Sequence, residues 1–356
     1  MKSIRVITAV CWAVAAVAII GIAIWAIFGL GVIGVNGKWD FNFGFESLTG
    51  PYEIAGAYSV GTEGVDSINI DWVSGEITVK PYDGKEIQIT EFAQRELRDG
   101  EGLQYSTSGG LLKIKYNSRN LKFMPQKKLE VLIPRALSGK LVSFAVDSTS
   151  GPINVEELGA ERFKAESTSG SIHISNITAR AFEAETTSGA INLLSVFADR
   201  IEAKSISGAV RVSDLSAAEF FCETTSGSID ASGSFDSARA DSTSGSVALD
   251  NAAKNSSLRA ESTSGRVKAS GSFDRVDAET ISGSISIVSS TVPSSLKAES
   301  TSGSITVTMP NEGAISVSHS SVSGRLSSDI PIITGGGSAQ FKFETISGSV
   351  KILALG

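Results

Sequence analysis

A short phrase, Ser-Thr-Ser-Gly followed by a small residue and then Ile or Val, returns along most of this chain. It is clean at Ser148-Thr149-Ser150-Gly151-Pro152-Ile153 and varied at Thr345-Ile346-Ser347-Gly348-Ser349-Val350. Between them its glycine recurs at Gly170, Gly189, Gly208, Gly227, Gly245, Gly265, Gly283, Gly303 and Gly324. The successive spacings are 19, 19, 19, 19, 18, 20, 18, 20, 21 and 24 residues. A unit this short cannot bury a core alone, so the repeats must stack.

Apolar residues return at fixed offsets from the glycine. Seven before it stand Phe144, Phe163, Phe182, Ile201 and Phe220, and five before it stand Ala165, Ala184, Ala203 and Ala240, with Cys222 taking the same place. Ile or Val follows the glycine by two. Because side chains alternate across a strand, these offsets put large, small, hydroxyl and hydroxyl residues on one face before the glycine's turn. Glycine tolerates backbone conformations that a Cβ forbids, so Ser-Gly is expected to be the corner, with the serine filling the bend. In-register stacking at about 19 residues per turn predicts an all-β fold, a single-chain parallel β-helix, right-handed by the usual crossover rule. At the inter-strand spacing of about 4.8 Å, eleven coils would make a rod of roughly 50 Å. A propeller with two repeats per blade is the competing architecture.

Before the repeat, Val6 to Val35 is a run of thirty uncharged residues rich in Ala, Ile, Val and Trp. About 20 apolar residues span a bilayer as a helix, so one transmembrane helix is expected over residues 6–35. Lys2 and Arg5 precede it, which predicts a short cytoplasmic N-terminus (residues 1–5) and an extracytoplasmic remainder. A cleaved signal peptide is the alternative, but its apolar core is usually only 7–15 residues long. Trp39, Phe41, Phe43 and Phe45 then alternate with Asp40, Asn42 and Gly44, marking residues 36–60 as an aromatic juxtamembrane linker, seated at the headgroups or strapped onto the rod. Residues 61–145 carry a degenerate repeat (Ile68, Ile70 and Trp72 before Gly75) and further apolar alternations, interrupted by a charged insertion from Glu91 to Gly102. This region is expected to cap the solenoid repeats of residues 146–356, because a stack needs atypical ends.

Several functions are disfavoured. A net charge of −7 and a pI near 5.1 argue against a nucleic-acid surface. Two cysteines exclude a disulfide-built fold. The two histidines are far apart, His173 facing solvent and His319 at an inward offset, which argues against a histidine metal site or a catalytic triad. The glycines are solitary, without the spacing or the lysine of a phosphate loop. No catalytic residue, metal ligand or cofactor is expected. A degenerate carbohydrate-active β-helix enzyme is the best catalytic alternative, but its acids would have to cluster in a groove.

The outward row four residues before each glycine is acidic: Asp147, Glu166, Glu185, Glu223, Asp241, Glu261, Glu279 and Glu299. A ladder of like charges repels unless counter-charges or bound cations separate it. Lys164, Arg239, Arg259 and Lys297, two positions earlier, offer such counter-charges. The bland assignment is a solvated face. The functional one is a surface for cationic peptides, divalent ions or cationic wall polymer.

The pattern Ile68-Asn69-Ile70…Ser74-Gly75-Glu76-Ile77-Thr78-Val79, the strand ending at Ile133-Pro134 and the run of Ser-Gly-x-Ile units resemble the putative adhesin family of bacterial β-strand-repeat domains, a family of unknown function. The resemblance covers about residues 60 to 356. It implies an envelope-associated protein, with some relatives acting in envelope-stress and antimicrobial-peptide responses. Relatives often carry regulatory domains on the cytoplasmic side, whereas only five residues precede the helix here. The expected function is therefore that of a structural or adhesin-like interaction module of the cell envelope. An accessory role in stress sensing with an envelope-protein partner is the first alternative. Exposed solenoid ends also raise end-to-end self-association.

Overall fold

The computed structural model describes residues 50–118, 125–333 and 339–355. Residues 1–43 form one unit and residues 44–356 another. The expected membrane helix and residues 36–49 of the expected linker lie outside the described residues, while the end of that linker belongs to the strand Glu53–Gly61. No helix among those described is long and apolar enough to cross a membrane.

The second unit is a parallel β-solenoid of about ten turns. Successive coils pair in register one repeat apart: Ile172 lies opposite Ile191, Phe182 opposite Ile201 and Ala184 opposite Ala203. The same parallel registry runs through the coils on either side. Propeller blades are built from adjacent antiparallel strands, so this pairing excludes the competing architecture.

Each coil has three faces rather than two. In the coil that ends at Gly170, residues 153, 155, 158, 160, 163, 165 and 167 are buried, while the pairs 156–157 and 161–162 are both exposed. The alternation resets at each exposed pair, so the chain turns there as well as at Ser-Gly. The first of these extra corners is a column of left-handed residues, Glu157, Asn176, Ser195 and Asp214, with φ between 52° and 56°. Asn and Asp tolerate that conformation better than most residues. The polar residue six after each glycine was the available signal for it.

The core follows the predicted offsets. Phe144, Phe163 and Phe182 stack with ring centroids 5.1 and 5.0 Å apart. Where the large position holds Ala238, Phe235 fills the space from the neighbouring face, 5.7 Å from Phe220. Interiors are close-packed, so a small residue in one row requires a large one in the next.

The corner differs from expectation in two ways. Among the eleven repeat glycines from Gly151 to Gly348 only Gly151 has a left-handed φ, at 131°, as does Gly75 of the degenerate coil, at 93°. Glycine is required instead because the coils touch: a Cβ on Gly208 would lie 1.8 Å from the carbonyl oxygen of Gly189, and one on Gly189 would lie 1.9 Å from that of Gly170. The serine directly before the glycine does not fill the bend. Ser169, Ser188 and Ser207 are exposed. The buried hydroxyl lies three before the glycine, at Ser167, Thr186, Ser205 and Thr224. Thr186 Oγ1 donates to the Gly170 carbonyl at 3.2 Å and accepts the Gly189 amide at 3.1 Å. The same relay, with small changes in length, recurs at Ser242, Ser262 and Thr280.

Both ends depart from simple sequential stacking. The coil of residues 67–80 sits between later segments: Ile68 pairs with Leu112 on one side and Phe144 on the other. Antiparallel strands Glu86–Ala93, Glu53–Gly61 and Gln104–Ser108 then cover that end. At the far end the stacking order is Gly303, Gly348, Gly324, since Phe341 pairs with both Leu296 and Val317. The last residues of the sequence are therefore an interior coil, and residues 315–328 form the terminal one. Apolar content decides the order. Phe341, Phe343, Val350 and Ile352 are buried in the interior slot, whereas Val317, His319 and Leu326 are only half-buried outside it.

Candidate functional site

The registry brings the predicted acidic row into one ladder, broken at a single lysine. Asp147 lies opposite Glu166, Glu166 opposite Glu185, and Lys204 interrupts before Glu223. Glu223, Asp241, Glu261, Glu279 and Glu299 then follow rung by rung. Asp71 extends the ladder below Asp147, and Glu344 extends it above Glu299. Asp71 stands four residues before Gly75, so the same count would have found it.

Cations two residues earlier fold onto this ladder. Lys164 Nζ is 2.8 Å from Glu166, Arg239 Nε is 2.7 Å from Asp241, and Lys297 Nζ is 3.1 Å from Glu299. Four of the eight predicted rungs lack such a neighbour, because the matching positions hold Ala145, Glu183, Phe221 and Asp277. Glu185 is reached instead by Lys204 of the next coil, at 3.3 Å. Burial, and then the adjoining Glu166, push the Asp147 carboxyl up to about 7. Burial likewise raises Glu279, with Glu261 adding to it. Bringing like charges to one strand spacing in a partly desolvated row accounts for both shifts.

Carboxylate oxygens of Glu166, Glu183 and Glu185 converge within 4.8 Å. The Lys164 ammonium already lies 2.8 Å from Glu166 and 3.6 Å from Glu183, in the place a cation would take. With Lys204 3.3 Å from Glu185, two of the three negative charges are offset by the chain's own lysines.

Ser171 Oγ lies 2.8 Å from His173 Nε2, and Asn192 Nδ2 lies 3.3 Å from His173 Nδ1. Nucleophilic catalysis needs Nε2 free to take the serine proton. An amide donating to Nδ1 leaves the proton on Nε2, the wrong tautomer for a base, and the trio stands on the open outer face. Two open clefts, of about 510 and 590 Å³, occur elsewhere. The first is lined by serines, Asn251, Asn255 and Lys254, and the second by Tyr105, Lys113 and Lys115. Neither pairs an acid with a base.

One ionic site was not visible in the sequence. Lys127 and Glu91 are fully buried, with Nζ 2.8 Å from Oε1. The ammonium also donates to the backbone oxygens of Glu101 and Asn117, and Glu91 Oε2 accepts the Leu103 amide. Tyr116 presents its ring 4.0 Å from Nζ. All three ammonium hydrogens have acceptors, which fits a structural clamp holding the charged insertion to the capping strands. Cys222 is buried in an alanine position, and burial raises its thiol pKa, leaving an unreactive packing residue.

Comparison with known proteins adds the family. The model described as Toastrack DUF4097 matches residues 65–271 and 198–351. The chain belongs to the Toastrack family. The two matches overlap, as expected where one motif recurs throughout. The putative-adhesin resemblance drawn from the Ser-Gly units is thereby borne out. No curated protein matches the chain. Among solved structures, this Toastrack chain is similar to a putative adhesin from Bacteroides fragilis at 14% identity, covering 65% of this chain and 94% of that one, with a TM-score of 0.39. A putative adhesin from Parabacteroides distasonis is 13% identical, with coverage of 84% and 98% and a TM-score of 0.40. A putative lipid binding protein from the same species is 14% identical, with coverage of 86% and 98% and a TM-score of 0.31. None of these three is described as an enzyme. Their likeness is too distant to carry a site or a ligand across.

Proposed function

We propose that this Toastrack chain is a membrane-anchored, extracytoplasmic β-solenoid that serves as an adhesin-like interaction module of the bacterial cell envelope. The observation that carries this is the outer surface of the rod, where an acidic row, broken only at Lys204, runs from coil to coil beside partly matching cations. A periodic surface of this kind suits an extended, repetitive or flexible cationic partner better than a small molecule. Residues 6–35 supply the anchor, with the N-terminus cytoplasmic and the solenoid outside.

Cationic peptide or cationic wall polymer is the partner class favoured by the rungs at Asp147, Glu223 and Glu279, which lack a cation two residues earlier. Two experiments test the proposal. Fractionation of cells with external protease should leave the chain in the membrane and remove the solenoid; a soluble or protected solenoid overturns the anchoring. Replacement of Glu166, Glu185, Glu261, Glu279 and Glu299 by Gln should abolish salt-dependent binding of a cationic peptide such as polylysine. Unchanged binding overturns the ladder as the contact surface.

A further inference from the structure

The two ends of the rod are finished differently. Three antiparallel strands cover the N-terminal end, whereas the far end stops at a coil whose outer edge is largely unpaired among the described residues. There the strand Ile315–Ser321 pairs through residues 316–321 with residues 340–345 on one side, and meets Ile332–Ile333 only at Ile315 and Ser316. The strand Leu326–Ser328 pairs with Val350–Ile352 alone. Native proteins protect such edges with charge, covering segments or bulges. Ser316-Val317-Ser318-His319-Ser320-Ser321 carries no carboxylate or basic chain beyond one histidine.

Exposed apolar residues gather around the same coil: Val322 is 82% exposed, Ile346 55%, Ile332 40% and Ile333 37%. The hydroxyl relay also fails there, leaving Ser321 Oγ, Thr345 Oγ1 and His319 Nε2 buried without a partner. The terminal coil thus has backbone, apolar and polar groups all unfinished on one side.

The charges flanking the short edge strand identify what fits it. Arg325, Ser327 and Asp329 alternate with half-buried or buried residues, so they share the outer face. Arg325 and Asp329 are exposed, and neither forms an ion pair within the described residues. They stand two positions either side of Ser327. In an antiparallel pairing centred on Ser327, position 325 of one strand faces position 329 of the other. Two identical strands in that register bring Arg325 opposite Asp329 twice, once on each side of the axis. A strand of unrelated sequence has no reason to repeat this arrangement, and a cationic peptide would find no acidic row on this edge.

The geometry points to a second copy of this chain as the occupant: two solenoids join at their terminal coils across a two-fold axis at Ser327, with antiparallel edge pairing and reciprocal Arg325–Asp329 contacts. Such a contact is isologous and closes at the dimer. The end of one coil is small, so the contact is weak singly and gains strength from repetition.

The test uses the full chain in detergent micelles, followed by sedimentation over a dilution series. The wild type is expected to pass from monomer to dimer and to stop there. Arg325→Asp and Asp329→Arg should each weaken association on the order of tenfold, since each replaces two attractions by two repulsions. Mixing the two single variants should restore association as a heterodimer, and R325D/D329R should associate like the wild type. A wild type that stays monomeric, growth beyond the dimer, single variants that associate normally, or a mixture that fails to recover would each overturn the proposal. Pairing through residues 6–35 would leave the single variants unaffected, so it counts among the overturning results. Failure here leaves the anchoring reading intact, because fractionation tests that separately.

Discussion

Ser205 and Gly208 close the corner of their coil together: the serine hydroxyl accepts the glycine amide at 2.8 Å and donates to the Gly189 carbonyl of the coil before at 3.1 Å. One hydroxyl therefore satisfies two backbone groups on different coils. Ser205→Ala should cost about 1–3 kcal/mol, because both groups remain buried without partners. Ser207→Ala, at the exposed position next to the glycine, should cost less than about 0.5 kcal/mol. Denaturant unfolding of the two variants checks the contrast, and equal effects would contradict the assignment of the buried hydroxyl.

The glycine itself should tolerate no side chain. Gly208→Ala places a Cβ 1.8 Å from the Gly189 oxygen, which only a shift between the coils can relieve. The expected loss is about 3 kcal/mol or more, with broken cooperativity along the rod. Alanine at Gly139, where a Cβ meets nothing within 4 Å, is the matched control.

At the left-handed corner the opposite change should help. Ser195 sits at φ 53°, a conformation that costs a residue with a Cβ roughly 1 kcal/mol. Ser195→Gly relieves that strain but loses the bond from its hydroxyl to Asp214, 2.8 Å away and exposed. A net gain of a few tenths to about 1 kcal/mol is expected, read as a raised unfolding midpoint.

The buried clamp should respond asymmetrically. Glu91→Gln strands a buried ammonium and should cost about 3–5 kcal/mol. Lys127→Met combined with Glu91→Leu removes both charges and should cost markedly less. A double-mutant cycle by calorimetry separates the two cases.

Asp147 should give the rod a pH dependence. Its folded pKa rises from 3.8 to about 7, so between these values the folded state holds a proton that the unfolded state has released. Stability contributed by this group is therefore present at acid pH and falls as pH rises toward 7. Asp147→Asn should stabilise at pH 8, by about 1 kcal/mol after solvent screening, and make little difference near pH 3.5.

The periodic parts of this fold were legible because identical residues return at a fixed count. Counting alone places Phe163 over Phe182, Ala184 over Ala203, and Glu166 beside Glu185. What counting could not supply is a choice between equivalent partners. The glycines at 324 and 348 keep the motif, yet their coils exchange order because Phe341 and Phe343 bury better than Val317 and His319. The clamp at Lys127 and Glu91 was hidden for another reason. The two residues are 36 positions apart, and a buried charge has the same letter as an exposed one. The hydroxyls three before and one before the glycine are equivalent by alternation; only the bend turns the second of them outward, leaving Ser167 buried and Ser169 exposed.

The interleaving at the two ends has a consequence for how the molecule is made. A plain spiral can be wound as the chain leaves the ribosome, and can be unwound again by pulling on either tip. Here residues 67–80 are enclosed by segments synthesised later, and residues 315–328 gain their supporting neighbour only when residues 340–354 arrive. Winding therefore pauses at each end until a later segment is slotted in, and once it is there neither the coil of residues 67–80 nor that of residues 340–354 can peel away without first displacing a neighbour.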